Sequence, residues 1–248
     1  MIEVGVLLVA PLIAGLLSLA LQNARMLHVL NFATMAALVV AEARLAGRVI
    51  TQGPFTAFWD LAYVDALAAF ILFILAAVGL SCSLYMWSYL DHLVDRGVIA
   101  QKRLSRFFFL FHMFLLAMVA ATIANSLGVL WVAIEGTTLA TTFLIAFFRR
   151  REALEAGWKY LILCSVGIAL GLFGTVLTYY SSVRVLGDVS GALNISELLT
   201  VAERLDPHVL KLAFIFILVG YGTKIGLVPM HTWLPEAYSE APAPVVPR

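Results

Sequence analysis

Three observations predict an all-α fold, a polytopic transmembrane helix bundle of about seven spans: the composition, the length of the apolar runs and the side on which basic residues collect. Of 248 residues, 62% are hydrophobic and 12% charged, and the mean hydropathy is +0.99. Soluble domains are about half apolar and about one quarter charged, so a water-soluble globule has no way to hide this much apolar surface. A spanning helix needs about 20 predominantly apolar residues. Seven segments qualify: Val4–Leu21, Leu27–Leu45, Val64–Met86, Phe107–Ala124, Leu127–Phe148, Trp158–Tyr180 and Val209–Val228.

The first run begins after Glu3 with no basic stretch ahead of it and is read as a retained span rather than a cleaved leader. Between the spans, Arg25, then Arg96, Lys102, Arg103 and Arg106, then Arg149, Arg150, Arg151 and Lys159 fall in loops of one parity. The other parity carries Arg44 and Arg48, then Arg184, Arg204 and Lys211. Basic residues favour the cytoplasmic side, so the chain is expected in the cell inner membrane with its N-terminus outside. Tyr85, Trp87 and Tyr89 close the third span, Trp158 and Tyr160 open the sixth, and Tyr179 and Tyr180 end it, as aromatic anchors at headgroup depth would.

Two loops carry structure of their own. Thr51–Leu61 holds a Gly53–Pro54 turn between β-prone pieces and suggests an external hairpin. Asn194 and Glu197 form an N-x-x-E helix start, and Ile195, Leu198, Leu199, Ala202 and Leu205 follow on one apolar face before Pro207. A short helix lying on the outer surface is expected there. Cys82 and Cys164 stand in separate apolar runs, without the spacing of a disulfide framework, a zinc site or an iron–sulfur cluster. The 16 basic and 15 acidic residues nearly cancel, which leaves no overall field for nucleic acid.

The functional signal lies in ionisable residues that lipid penalises, at about 2.5–3.5 kcal/mol for a charge at a helix centre on insertion scales. Glu135 stands mid-span, and Thr138 and Thr142 share its helical face, forming a polar stripe towards the bundle interior. Lys224 lies among Gly220, Gly222, Gly226 and Pro229, helix breakers of the kind found where intramembrane backbone lines a cavity. Low-dielectric surroundings disfavour an ammonium and a nearby carboxylate favours it, so Glu135 and Lys224 are expected to act as a tunable proton-handling pair. The structural alternatives are a neutral glutamic acid serving packing and a snorkelling lysine. His112 suits either a proton relay or a hydrogen-bonded core residue, and His231 either a proton exit or the cap of an interfacial turn. Lys159 suits an interfacial anchor, with proton handling as its alternative. Asp65 reads as a helix N-terminal charge.

Four segments carry a family resemblance: YVDALAAF at Tyr63–Phe70, WVAIEGTTLATTFLIAF at Trp131–Phe147, KYLILCSVGIALGLFGTVL at Lys159–Leu177 and GYGTKIGLVPMHTWLPEAYSEAPAPV at Gly220–Val245. They resemble the antiporter-like, proton-translocating subunits of complex I and of group 4 membrane-bound hydrogenases, in wording most like the hydrogenase-4 or formate-hydrogenlyase type. The resemblance implies the first part of an inverted-repeat fold with a broken seventh helix. The family's fifth-helix glutamate then falls on Glu135, its broken-helix lysine on Lys224, and His231 and Pro235 fall in the bend. It implies residues 1–62 as a two-helix region with an outer loop and 63–248 as the translocation domain. Where the family continues into an eighth helix and a second repeat, this chain reads Val246-Pro247-Arg248, so a fragment, or a second chain supplying the rest, is expected.

The implied role is a non-catalytic subunit of a hydrogenase or NADH-quinone oxidoreductase complex. It would bind no cofactor itself, with nickel–iron, iron–sulfur or flavin centres on partner subunits. A sodium/proton antiporter subunit and a non-conducting remnant or scaffold stay open beside it.

Overall fold

The computed structural model describes residues 1–187 and 191–245; the Val246-Pro247-Arg248 reading lies outside them. Among the described residues, seven helices are long and apolar enough to cross a membrane. They are α1 (Ile2–Ala20), α2 (Ala24–Gln52), α3 (Ala66–Asp95), α4 (Leu104–Ile123), α5 (Leu127–Ile145), α6 (Arg151–Leu186) and α8 (Pro207–Ile225). Two short helices, α7 (Ile195–Val201) and α9 (Leu234–Glu240), flank α8. Only helices or closed barrels satisfy every backbone group in lipid, and these helices do so internally.

Several helices outrun the apolar segments that announce them. Arg151–Leu186 runs 36 residues, about 54 Å at 1.5 Å per residue, and therefore extends beyond the hydrocarbon layer. Asp65 caps α3, its Oδ1 accepting the Ala68 N–H at 2.8 Å. The expected hairpin is present with its turn displaced. Strands β1 (Phe55–Ala57) and β2 (Ala62–Val64) pair antiparallel, and the turn falls on Phe58, Trp59 and Asp60, all at positive φ, whereas Gly53–Pro54 only ends α2. The helix after Asn194 also forms, but the Asn194 side chain makes no cap hydrogen bond and Leu199 is 66% exposed.

Helices α1 to α4 share one apolar core centred on Leu7, Met35, Leu72, Phe107 and Phe108. Helices α6 and α8 meet differently, through glycine. A Cβ built on Gly220 would stand 2.5 Å from the Gly171 nitrogen, and one on Gly174 2.8 Å from the Ala213 oxygen. Small residues let membrane helices approach backbone to backbone, and dispersion over that contact replaces the hydrophobic effect that lipid removes.

Asn125, in the α4–α5 turn, knots one end of the bundle. Its Nδ2 donates to the Asp60 carbonyl at 2.8 Å and to Ser196 Oγ at 2.9 Å, and its Oδ1 accepts the Ser196 N–H at 3.1 Å. Its backbone N–H donates to the Leu61 carbonyl and its carbonyl accepts from Ile195. The hairpin, the α4–α5 turn and α7 are thereby joined through one buried residue. Asn125→Ala strands several of these partners and is expected to lower stability by about 2–3 kcal/mol. Unfolding titrations in mixed micelles check this; an unchanged midpoint would contradict the role.

Candidate functional site

Helix α8 stops within the bundle because Gly226 takes the left-handed conformation at φ +81°. The Leu227 N–H bonds the Gly222 carbonyl at 2.8 Å and the Gly226 N–H bonds that of Thr223 at 3.2 Å, a Schellman closure that satisfies the last carbonyls. Lys224 is thus the penultimate residue of α8, where the carbonyl pole of the helix favours a cation. Beyond it the chain turns through His231 and re-enters α9, with Pro235 in the first turn of that helix instead of in the bend. Trp233 locks the turn: its Nε1–H donates to the Thr223 carbonyl at 2.9 Å and its ring meets Tyr160 edge-on at 4.9 Å.

Lys224 Nζ donates to Thr138 Oγ1 on α5 at 2.9 Å and to Tyr160 Oη on α6 at 2.5 Å. Glu135 is held separately, its Oε1 accepting from Ser165 Oγ on α6 at 2.7 Å, while its buried Oε2 has no partner. Thr138 follows Glu135 by one helical turn on the same face. The carboxyl and the ammonium therefore occupy one α5–α6–α8 pocket but form no direct ion pair among the described residues. Each is held by hydroxyls of its own, Ser165 for Glu135 and Thr138 with Tyr160 for Lys224. Thr142, on the expected stripe, donates to the Thr138 carbonyl at 2.8 Å.

The other residues singled out from sequence lie apart from this pocket. Lys159 Nζ contacts Glu155 at 2.9 Å and both oxygens of Glu236 at 2.8 Å, and Arg150 contacts Glu240 at 3.2 Å. These pairs pin α9 to the start of α6. His231 places an unpartnered, buried Nδ1 in the turn, and its carbonyl accepts from the Leu234 N–H. His112 is fully buried on α4, against Gly15 of α1. Its Nδ1 contacts the Phe108 carbonyl at 2.7 Å; a carbonyl only accepts, so Nδ1 carries the proton, and Nε2 has no partner.

One assignment is corrected. Tyr160, read as a headgroup anchor, is 3% exposed and holds Lys224. Helix α6 begins at Arg151, so Tyr160 lies about 13 Å inside it, on the small-residue face of Gly157, Cys164, Gly167 and Gly171. That face, traced at spacings of three and four, was the available signal. Ser165 lacked one, because a serine in an apolar run commonly bonds its own helix. Trp158, at 63% exposure, does suit an anchor.

A bundle of helices able to span a membrane, seven among the described residues, with a partly buried lysine at a helix end and a carboxyl nearby, defines the class as a multi-pass membrane protein with ionisable groups inside its helix bundle. Residues 124–247, half of the chain, match the transmembrane family described as NADH:quinone oxidoreductase/Mrp antiporter, and the chain belongs to that family. It is 38% identical over 182 residues to the hydrogenase-4 component F homolog of Methylacidiphilum infernorum (isolate V4), covering 73% of this chain and 38% of the relative. It is 36% identical over 140 residues to NADH-quinone oxidoreductase subunit N 2 of Aquifex aeolicus (strain VF5), covering 56% of this chain and 27% of that one. In fold it resembles a chain of the membrane-bound sulfane sulfur reductase, an archaeal respiratory membrane complex. That superposition has a TM-score of 0.81 at 21% identity and covers 98% of this chain and 48% of the other. The chain thus spans less than half the length of each.

Ser165→Ala leaves both Glu135 oxygens without a protein donor and is expected to lower stability by about 1–3 kcal/mol, with Ser165→Thr retaining most of it. The same unfolding titration measures both; equal midpoints for the alanine variant and the parent would show that Ser165 contributes nothing to holding Glu135.

Proposed function

We propose that this chain is a membrane subunit of a redox-driven proton pump of the hydrogenase-4/formate-hydrogenlyase or NADH-quinone oxidoreductase type, in which Glu135 and Lys224 carry the proton. The observation behind this reading is the Lys224 ammonium lodged between Thr138 and Tyr160 at the end of a helix stopped inside the bundle. An ammonium can donate and an amine can accept, and the Thr138, Tyr160 and Ser165 hydroxyls can do both. The hydroxyls that flank the carboxyl and the lysine are therefore groups that can pass protons without themselves holding a charge. Thr138 sets the lysine one turn from Glu135, close enough for the charge state of each to influence the other.

In this scheme the chain itself would carry no redox group. Electrons would travel through nickel–iron, iron–sulfur or flavin centres on partner subunits, and their chemistry would drive the change in charge near the pair. The residues from 63 onward would form the translocation part. Lys159 would serve chiefly through its ion pairs with Glu155 and Glu236, while His231, beside the break, and His112, on α4, would be subsidiary proton carriers. The chain would lie in the cell inner membrane with its N-terminus outside, a reading supported by the basic residues at 96–106 and 149–151, which that orientation puts on the cytoplasmic side.

Glu135→Gln and Lys224→Ala, introduced into the native assembly that contains this chain, should leave electron transfer running while proton translocation falls several-fold. Proton uptake by inverted membrane vesicles, recorded beside donor oxidation, separates the two. Unchanged translocation in both variants would overturn the assignment, and sodium-dependent proton exchange without any electron donor would replace the redox-driven pump with an antiporter.

A further inference from the structure

The buried face of α2 contains an acid that the α5–α6–α8 pocket does not use. Near the Ala24 end, the polar side chains on that face have partners. His28 Nε2 meets Asp91 Oδ1 at 3.1 Å, Asn31 Nδ2 donates to Ser83 Oγ at 2.9 Å, and Thr34 Oγ1 donates to the Leu30 carbonyl at 2.8 Å. Glu42, further along, is 1% exposed, and both of its carboxyl oxygens are buried with no partner.

The ionisable groups of the surrounding elements are engaged elsewhere or point away. Glu3 on α1 pairs with the N-terminus at 3.3 Å. On α2, Arg44 is exposed, and Arg48 donates to Gln52 and covers the Phe55 ring at 4.0 Å. On α3, Asp65 caps its own helix, and Cys82 adjoins Ser83 at the level of Asn31. On α4, His112 bonds the Phe108 carbonyl. No cation or donor among the described residues reaches Glu42, whereas Glu135 has Ser165.

An ionised carboxylate in an apolar core needs a cation or several donors, while the neutral acid needs only one acceptor for its O–H, which a single water can supply. Glu42 stands ten residues, about 15 Å, from the Gln52 end of α2 and eighteen residues, about 27 Å, from the Ala24 end. Buried apolar residues flank it on both sides of the same face, Met35 and Leu38 towards Asn31 and Leu45 and Val49 towards Gln52.

We propose that Glu42 is a second proton-binding site, a neutral carboxylic acid within the α1–α4 core that exchanges its proton with water. Its ligand is a proton delivered by water, and it works independently of Glu135 and Lys224, so it stands whether or not their proposed role survives.

Infrared spectroscopy of the full chain in hydrated lipid films at neutral pH tests this. The parent should show a protonated-carboxyl C=O band that Glu42→Gln and the apolar variant Glu42→Met both lack, and that shifts when the film is hydrated with D2O. Two substitutions guard against a folding defect in either, and the amide bands report helix content. A Glu135→Gln, Lys224→Ala background should leave the Glu42 band in place. Absence of any band that depends on Glu42 would mean that the residue is ionised, and a band that never shifts in D2O would mean a sealed structural acid; either result overturns the proposal.

Discussion

Everything at the candidate site depends on how closely α6 and α8 approach. Gly167, Gly171 and Gly174 on one helix face Thr223, Gly220 and Ile217 on the other, with gaps too narrow for a Cβ at several of these positions. Close approach brings Tyr160 within reach of Lys224, and the Gly226 stop keeps that lysine at the end of a helix. Larger residues at the glycine positions would separate the helices by more than a hydrogen bond can span. The glycines thus set the distance between the two helices that meet at Lys224 and Tyr160.

The electrostatic arrangement is equally specific. A direct carboxylate–ammonium contact in low dielectric binds both partners strongly and opposes a change in either charge. Here neutral hydroxyls hold the ammonium, the carbonyl pole of α8 supplies a fractional counter-charge, and Glu135 sits one turn away on its own serine. The two groups are held by separate hydroxyls and make no direct contact with each other.

Much of this architecture was legible from the sequence, and the misses share a cause. Apolar runs fix which segments span, since lipid imposes one rule on every residue of a helix, and the clustered glycines around Lys224 mark the stop. Hydropathy locates the membrane, however, and not the ends of helices. Because α6 starts seven residues before its apolar run, Tyr160 looked like a rim residue when it lies on the packed face. Glu42 offers the same signal as Glu135, a carboxyl within an apolar stretch, yet Arg44 two residues on makes that stretch resemble a surface. Asn125 and Ser165 derive their importance from partners 30 to 71 residues away, which no local pattern encodes.

The knot at Asn125 has a counterpart at the opposite end of the bundle, made of different material. There α9 is held to α6 by Lys159 with Glu236 and by Arg150 with Glu240, pairs that remain partly open to solvent. Hydrogen bonds shielded from water are indifferent to ionic strength, while exposed charges are screened within about 8 Å at physiological salt. The bundle is consequently moored asymmetrically: one end is fastened by main chain and amide, while the other adds to the buried Trp233 contacts a set of ion pairs that dissolved ions can loosen. Salt therefore weakens the attachment of α9 to α6 and leaves the Asn125 end unchanged.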